Sequence, residues 1–194
     1  MVLADALPGA RVRDAALVLG GALFMVLMAQ ISIPVPPSPV PITGQTLGVV
    51  VCGAALGANR GVLAMMLYVA MGLVLPVYAD GASGPGVISG ATGGYLIGFI
   101  VATYAIGYLS ERGGDRKVLV AFATFCVGQL IVFGIGVPWL KVWGDANLPG
   151  GMGWSTAIHD GFTLFIVGGL IKAAVAAIAV PSAWHLVRKV DGKS

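Results

Sequence analysis

Charge is scarce in this chain. Asp, Glu, Lys and Arg make up 10% of its 194 residues, against about 25% in soluble domains. That excludes a water-exposed globule. The basic residues form no stripe interleaved with aromatics, so nucleic acid is not an expected partner. Two histidines, His159 and His185, are too few for a His-built metal site, and no metal is expected. Two cysteines, Cys52 and Cys126, lie inside apolar runs. They read as small buried hydrophobes rather than a disulfide or a metal pair. No G-x-x-x-x-G-K-[ST] loop occurs, and "GGLIKAA" lacks both its spacing and its hydroxyl. The chain is therefore not expected to hydrolyse nucleotide itself. No cofactor and no catalytic residue are assigned.

What the sequence does hold is membrane-grade apolar stretches. Hydrophobic residues reach 58%, and the 30 glycines suit close packing between membrane helices. The pattern predicts an all-α membrane protein, a single integral domain over 1–194 with six spans. These run about Ala15–Ile33, Gln45–Ala58, Gly61–Ala79, Gly93–Leu109, Val118–Val137 and Gly161–Val187. The second is short for a bilayer, which takes about 20 residues. Arg11 and Arg13 before the first run imitate a secretory signal, but the run is too long for one and lacks a clear cleavage site.

An even number of spans puts both termini on one side. Arg11, Arg13, Arg60, Arg112, Arg116, Lys117, Arg188, Lys189 and Lys193 then share that side, nine of the eleven basic residues. Lys141 faces the other side and Lys172 lies within the sixth span. The bias predicts cytoplasmic termini, with tails of about 1–14 and 188–194. The proline-rich segment after the first span, the Asp80–Thr92 loop and the Trp139–Asp160 loop then face outside. Irregular backbone at membrane depth persists where it is buried or lines a cavity, so function is expected at the outer face.

Lys172 is the sharpest single feature. It sits in "FIVGGLIKAAVAAIAV" with no acid within a helical turn. A charge at mid-membrane costs at least about 2.5–3.5 kcal/mol, so it should face the interior and meet an anion or a strongly polar group. Gly86, Gly90, Gly94 and Gly98 recur every four residues. They read either as a flat packing face or as an opening for a flat ligand beside Thr92 and Tyr95. "LPVYADGASGPG" places Tyr78 and Asp80 before a flexible run that is either a connector or a lid. Its "GASG" also matches an intramembrane serine protease environment, with Ser83 and His159. Ser83 stands in a loop rather than at a helix start, which disfavours it. Trp139, Trp143 and Trp154 read as interfacial belt residues or as aromatic ligand walls. "PVPPSPVPITGQT" stiffens the entry to the second span and brings Thr43 and Gln45 to its mouth.

Three stretches together, "AQISIPVPPSPVPITGQTLGV", "YVAMGLVLPVYADGASGPGVISGATGGYLIGF" and "GGLIKA", resemble the BioY family. These are the biotin-specific S components of energy-coupling factor (ECF) transporters. The likeness runs from about Ala15 to Val180. It implies a six-helix S-component bundle in the cell membrane that captures biotin from outside. It also implies a transmembrane coupling protein and ABC-type ATPase subunits as partners, with Ala16 and Gly20 on the first helix facing the coupling protein. The substrate-binding residues expected are Thr43, Gln45, Tyr78, Asp80, Thr92, Tyr95 and Lys172. Two departures stand out. Ala91 replaces a proline usual in the family, and Gly169 replaces an Asp three residues before Lys172. Open alternatives are an S component for another vitamin and a membrane-assembly protein without a small ligand.

Overall fold

Apolar runs become helices here because a helix satisfies its own backbone hydrogen bonds. A computed structural model describes residues 11–190; residues 1–10 and 191–194, the outer parts of the two predicted tails, lie outside the described residues. Among the described residues, five helices are long and apolar enough to cross a membrane. The first, α1 (Arg11–Gln30), lays Ala22, Met25 and Ala29 into the core. A side chain at Gly21 would strike Leu56 and Ala64 of the next helix.

A short hairpin follows. β1 (Ser32–Ile33) pairs antiparallel with β2 (Ile42–Thr43), Ser32 opposite Thr43. The prolines form its tip, where the Ser38 hydroxyl donates to the Asp160 carbonyl at 2.7 Å.

α2 (Gln45–Gly72) is written as one run but breaks at Gly57, whose φ of 83° is the left-handed side that glycine tolerates. A straight helix would hold residues 45 and 68 about 35 Å apart. The Gln45 amide instead donates to the Tyr68 hydroxyl at 2.8 Å. The segment therefore doubles back as two antiparallel arms, 45–56 and 58–72. The first arm is only about 18 Å long. Glu111 accepts the Ala58 N–H at the turn, at 2.8 Å, which relieves an orphan helix-start donor.

After α2 come a single 3-10 turn (Ala79–Gly81), α3 (Pro85–Ser89) and α4 (Gly93–Glu111). α4 packs between α2 and α5 (Val118–Asn147). Glycine makes these approaches close: a Cβ at Gly107 would meet the Ala58 nitrogen, and one at Gly98 the Val132 backbone. α6 (Trp154–Gly161), a 3-10 turn (Thr163–Phe165) and α7 (Ile166–Val190) complete the chain.

Three sequence expectations change: the third span, expected to end at Ala79, stops at Gly72. The fifth span continues through Pro138 to Asn147, so most of the predicted Trp139–Asp160 loop is helical. An i,i+4 ion pair of Lys141 with Asp145 supports the added turns. The last long helix starts at Ile166 rather than Gly161, because Phe162 (φ −136°, ψ −55°) interrupts it. Lys172 is therefore about 9 Å along its helix, nearer the helix start than the sequence implied.

The start of α1, the Gly57 turn, the α4–α5 turn and the end of α7 meet at one end of the bundle. Asp14 pairs there with Arg13 and Arg60, and Trp184 donates to Asp115 at 2.7 Å. The hairpin tip, the Tyr78–Thr92 loop and α6 occupy the other end.

Candidate functional site

A cavity of about 240 Å³ lies at that second end. Such a volume is slightly below the usual small-molecule range of about 300–1,000 Å³, so it suits a compact ligand. Thr43, Gln45, Tyr78, Asp80, Thr92, Tyr95 and Lys172 all line it. The hairpin, α2, the Tyr78 loop, α4 and α7 thus bring together residues spread over 130 positions.

Their hydrogen bonds separate those held by the fold from those with capacity left over. The Tyr95 hydroxyl donates to the Gly161 carbonyl at 2.8 Å, and the Tyr78 hydroxyl to the Val69 carbonyl at 2.7 Å. Both polar tips point into protein, so these rings serve as walls. Glycines seat them: a Cβ at Gly72 would fall 2.1 Å from the Tyr78 ring, and one at Gly136 would fall 2.4 Å from the Tyr95 ring. Burial pushes the Tyr78 phenol above its ordinary pKa, which keeps it a neutral donor.

Gln45 is buried and doubly engaged. Its nitrogen reaches Tyr68, and its oxygen accepts the Thr43 hydroxyl at 2.9 Å. It braces the two arms of α2 and retains one N–H and one lone pair toward the cavity. Asp80 is exposed at the rim with φ 57°, a left-handed conformation that Asp tolerates better than most residues. Thr92 precedes α4 and its hydroxyl makes no helix cap.

Lys172 donates to the Thr43 carbonyl at 2.8 Å. No carboxylate forms a salt bridge with it among the described residues. A lysine carries three N–H donors, so two remain for an occupant. Thr43 thus positions the charge through its backbone.

Sequence reasoning missed the aromatic and amide walls. Phe99, Phe133, Phe165 and Gln129 also line the cavity. Phe133 meets Tyr95 edge-on, with centroids 6.3 Å apart. Periodicity could not distinguish these phenylalanines from ordinary core, whereas a lone amide in the apolar stretch "CVGQLIVF" was a usable signal. Conversely, Trp139, Trp143 and Trp154 stay out of the cavity lining. Trp139 donates to the Gly90 carbonyl at 2.9 Å and packs on Gly94. The glycine ladder therefore divides: Gly94 and Gly98 serve helix packing, Gly90 borders the cavity, and Gly86 faces open space. Ser83 is exposed outside the cavity lining, and His159 pairs with Asp160 at 2.7 Å. Cys52 is buried as expected, while Cys126 is half-buried.

Comparison with known proteins bears on family and fold. A "Biotin transporter BioY" of Rhizobium etli is 36% identical over 171 residues, covering 81% of this chain and 87% of that protein. A "Biotin transporter BioY2" of Lactococcus lactis subsp. cremoris is 34% identical over 162 residues, 81% of this chain and 82% of the relative. The crystal structure of an S-component for biotin from an ECF-type ABC transporter superposes with a TM-score of 0.76. It is 24% identical and the match covers 94% of this chain and 93% of that one, a likeness of fold. The BioY family profile matches residues 4–189, nearly the whole chain, and the chain belongs to the BioY family.

Proposed function

We propose that this chain is the substrate-binding S component of a biotin uptake system. The observation that carries the reading is the cavity itself. A carboxylate-free lysine, a rim carboxylate and aromatic walls converge in a space suited to a small, mostly apolar ligand with polar ends. Biotin offers such ends in its ureido ring and its carboxylate tail, and the relatives are named as biotin transporters. Thr43, Gln45, Tyr78, Asp80, Thr92, Tyr95 and Lys172 would form its site.

The chain acts as a transporter subunit rather than an enzyme. Energy would come from a transmembrane coupling protein and ABC-type ATPases, in a cell membrane crossed six times if each arm of α2 counts as a crossing. The clustering of basic residues at one end supports cytoplasmic termini. Ala16 and Gly20 are exposed on α1, and no atom lies within 4 Å of a Cβ built at Gly20. Both facts support that face as the one meeting the coupling protein. The whole of 1–194 serves as one membrane domain.

Gly169 favours one second reading, an S component for another vitamin, because this cavity-lining position, one turn before Lys172, carries no carboxylate. Thermal shift in detergent with biotin, thiamine and pantothenate decides between them. Stabilisation by biotin, and labelled biotin retained through purification, are the expected results. Stabilisation by another vitamin instead would overturn the biotin reading.

A further inference from the structure

Gln129 is a buried amide of the cavity that the fold leaves half satisfied; the buried Thr46 hydroxyl in the same lining also lacks a partner. It lies on α5 in an apolar run and is 8% exposed. Its nitrogen donates to the Gly169 carbonyl on α7 at 2.9 Å. That bond fixes the amide, because the flipped form would set two oxygens against each other. Oε1 is then the free end, and it has no hydrogen-bond partner. An unpaired buried acceptor is costly.

No donor of the lining bonds Oε1, although the Thr46 hydroxyl is itself without a partner and two Lys172 N–H groups stay open. The Tyr78 and Tyr95 hydroxyls bond Val69 and Gly161, and the Thr43 hydroxyl bonds Gln45. Lys172 reaches the Thr43 carbonyl instead. Behind Gln129 a second cavity of about 160 Å³ opens between α5 and α7, toward Leu130, Phe162, Ile166, Leu170 and Ala173. Apart from Gln129 itself, the one side-chain donor in that lining is the weak S–H of Cys126. A Cβ at Gly169 would stand 3.2 Å from Oε1, so this glycine leaves the amide room to hold its position.

We infer that Gln129 is a specificity-determining residue whose Oε1 accepts an N–H from the bound ligand. The inference rests on the biotin reading above and deepens it: the site reads a cyclic urea N–H, and selects against rings that lack it. A pocket built to bond a substrate N–H rejects an isostere without it, because the buried partner is left bare.

The test is a cycle of two proteins and three ligands, by calorimetry on the full chain in detergent. The ligands are biotin and its two analogues with one ureido N–H replaced by CH2. The unmodified chain should bind one analogue about 10–100-fold more weakly than biotin. Gln129→Met should lose a similar factor for biotin, while the gap to that analogue closes to about threefold or less. Gly169→Ala, which crowds Oε1 without touching Gln129 chemically, should weaken biotin several-fold and leave that analogue unchanged. It carries the test alone if Gln129→Met does not fold. Biotin binding with equal analogue penalties in unmodified and variant proteins would overturn this inference alone. No biotin binding by the unmodified chain would overturn the biotin reading and this inference with it.

Discussion

Asp14 and Lys172 lie at opposite ends of the bundle and are held in opposite ways. Asp14 shares its charge with Arg13 and Arg60, and the Asp115 carboxylate nearby accepts the Trp184 indole. Lys172 has a single backbone carbonyl and no ion pair among the described residues. At the first end, charge ties helices together. At the second, hydrogen-bonding capacity stays open, bordered by rings that glycines hold in place. An unsatisfied group costs stability, so its persistence in a cavity points to a ligand that completes it.

The strongest way to break this contrast is Lys172→Ala. Biotin affinity should fall by about 100-fold or more, with the melting temperature of the ligand-free protein unchanged or higher. Unchanged affinity by calorimetry would mean that the lone charge serves the fold. Next comes Gly72→Ala. Its Cβ would collide with the Tyr78 ring, and overpacking costs about 1–3 kcal/mol. Both thermal stability and binding should drop, since wall and fold coincide there. A variant with wild-type melting and binding would show that the ring can move aside.

At the opposite end, effects should be confined to stability. Trp184→Phe removes the donor from a fully buried carboxylate and should cost about 1–3 kcal/mol, with biotin affinity retained in the folded fraction. Burial also holds the Asp115 carboxyl above its ordinary pKa, outweighing the Trp184 hydrogen bond that lowers it. The folded state then binds a proton more readily than the unfolded one. The Asp115 contribution to stability should therefore be full below the ordinary carboxylate value and be lost as pH rises through the raised one. Asp115→Asn should flatten that slope in a melting series across pH, and a slope that survives would assign it elsewhere. The smallest effect belongs to Asp14→Asn. Its partly exposed ion pairs are worth about 0–1 kcal/mol, and the loss should shrink further in high salt.

Much of the candidate cavity lining was legible because it includes residues that are expensive in a membrane. Lys172, Asp80, Gln45 and Thr43 stand out wherever apolar sequence surrounds them, and all line the cavity. What each does once there was not legible. Tyr78 and Tyr95 were expected to bind substrate, and their rings line the cavity, but both hydroxyls bond backbone carbonyls, at Val69 and Gly161. Gln129 was passed over because its role depends on Gly169, forty residues on. The reversal between the second and third spans was legible, expected near 59–60 and found at Gly57, whereas the continuation of α5 past Pro138 was not.

The sequence alone determined that this is a helical membrane protein with its basic residues gathered at one end. Those properties follow from local transfer energies and from charge, which need no partner. It also marked Lys172, since a buried cation is costly in any fold. Only the tertiary structure decided which polar groups are already satisfied. Hydrogen bonds to backbone carbonyls make that choice, and they separate Tyr78 and Tyr95, engaged by the fold, from Lys172 and Gln129, left with capacity toward the cavity.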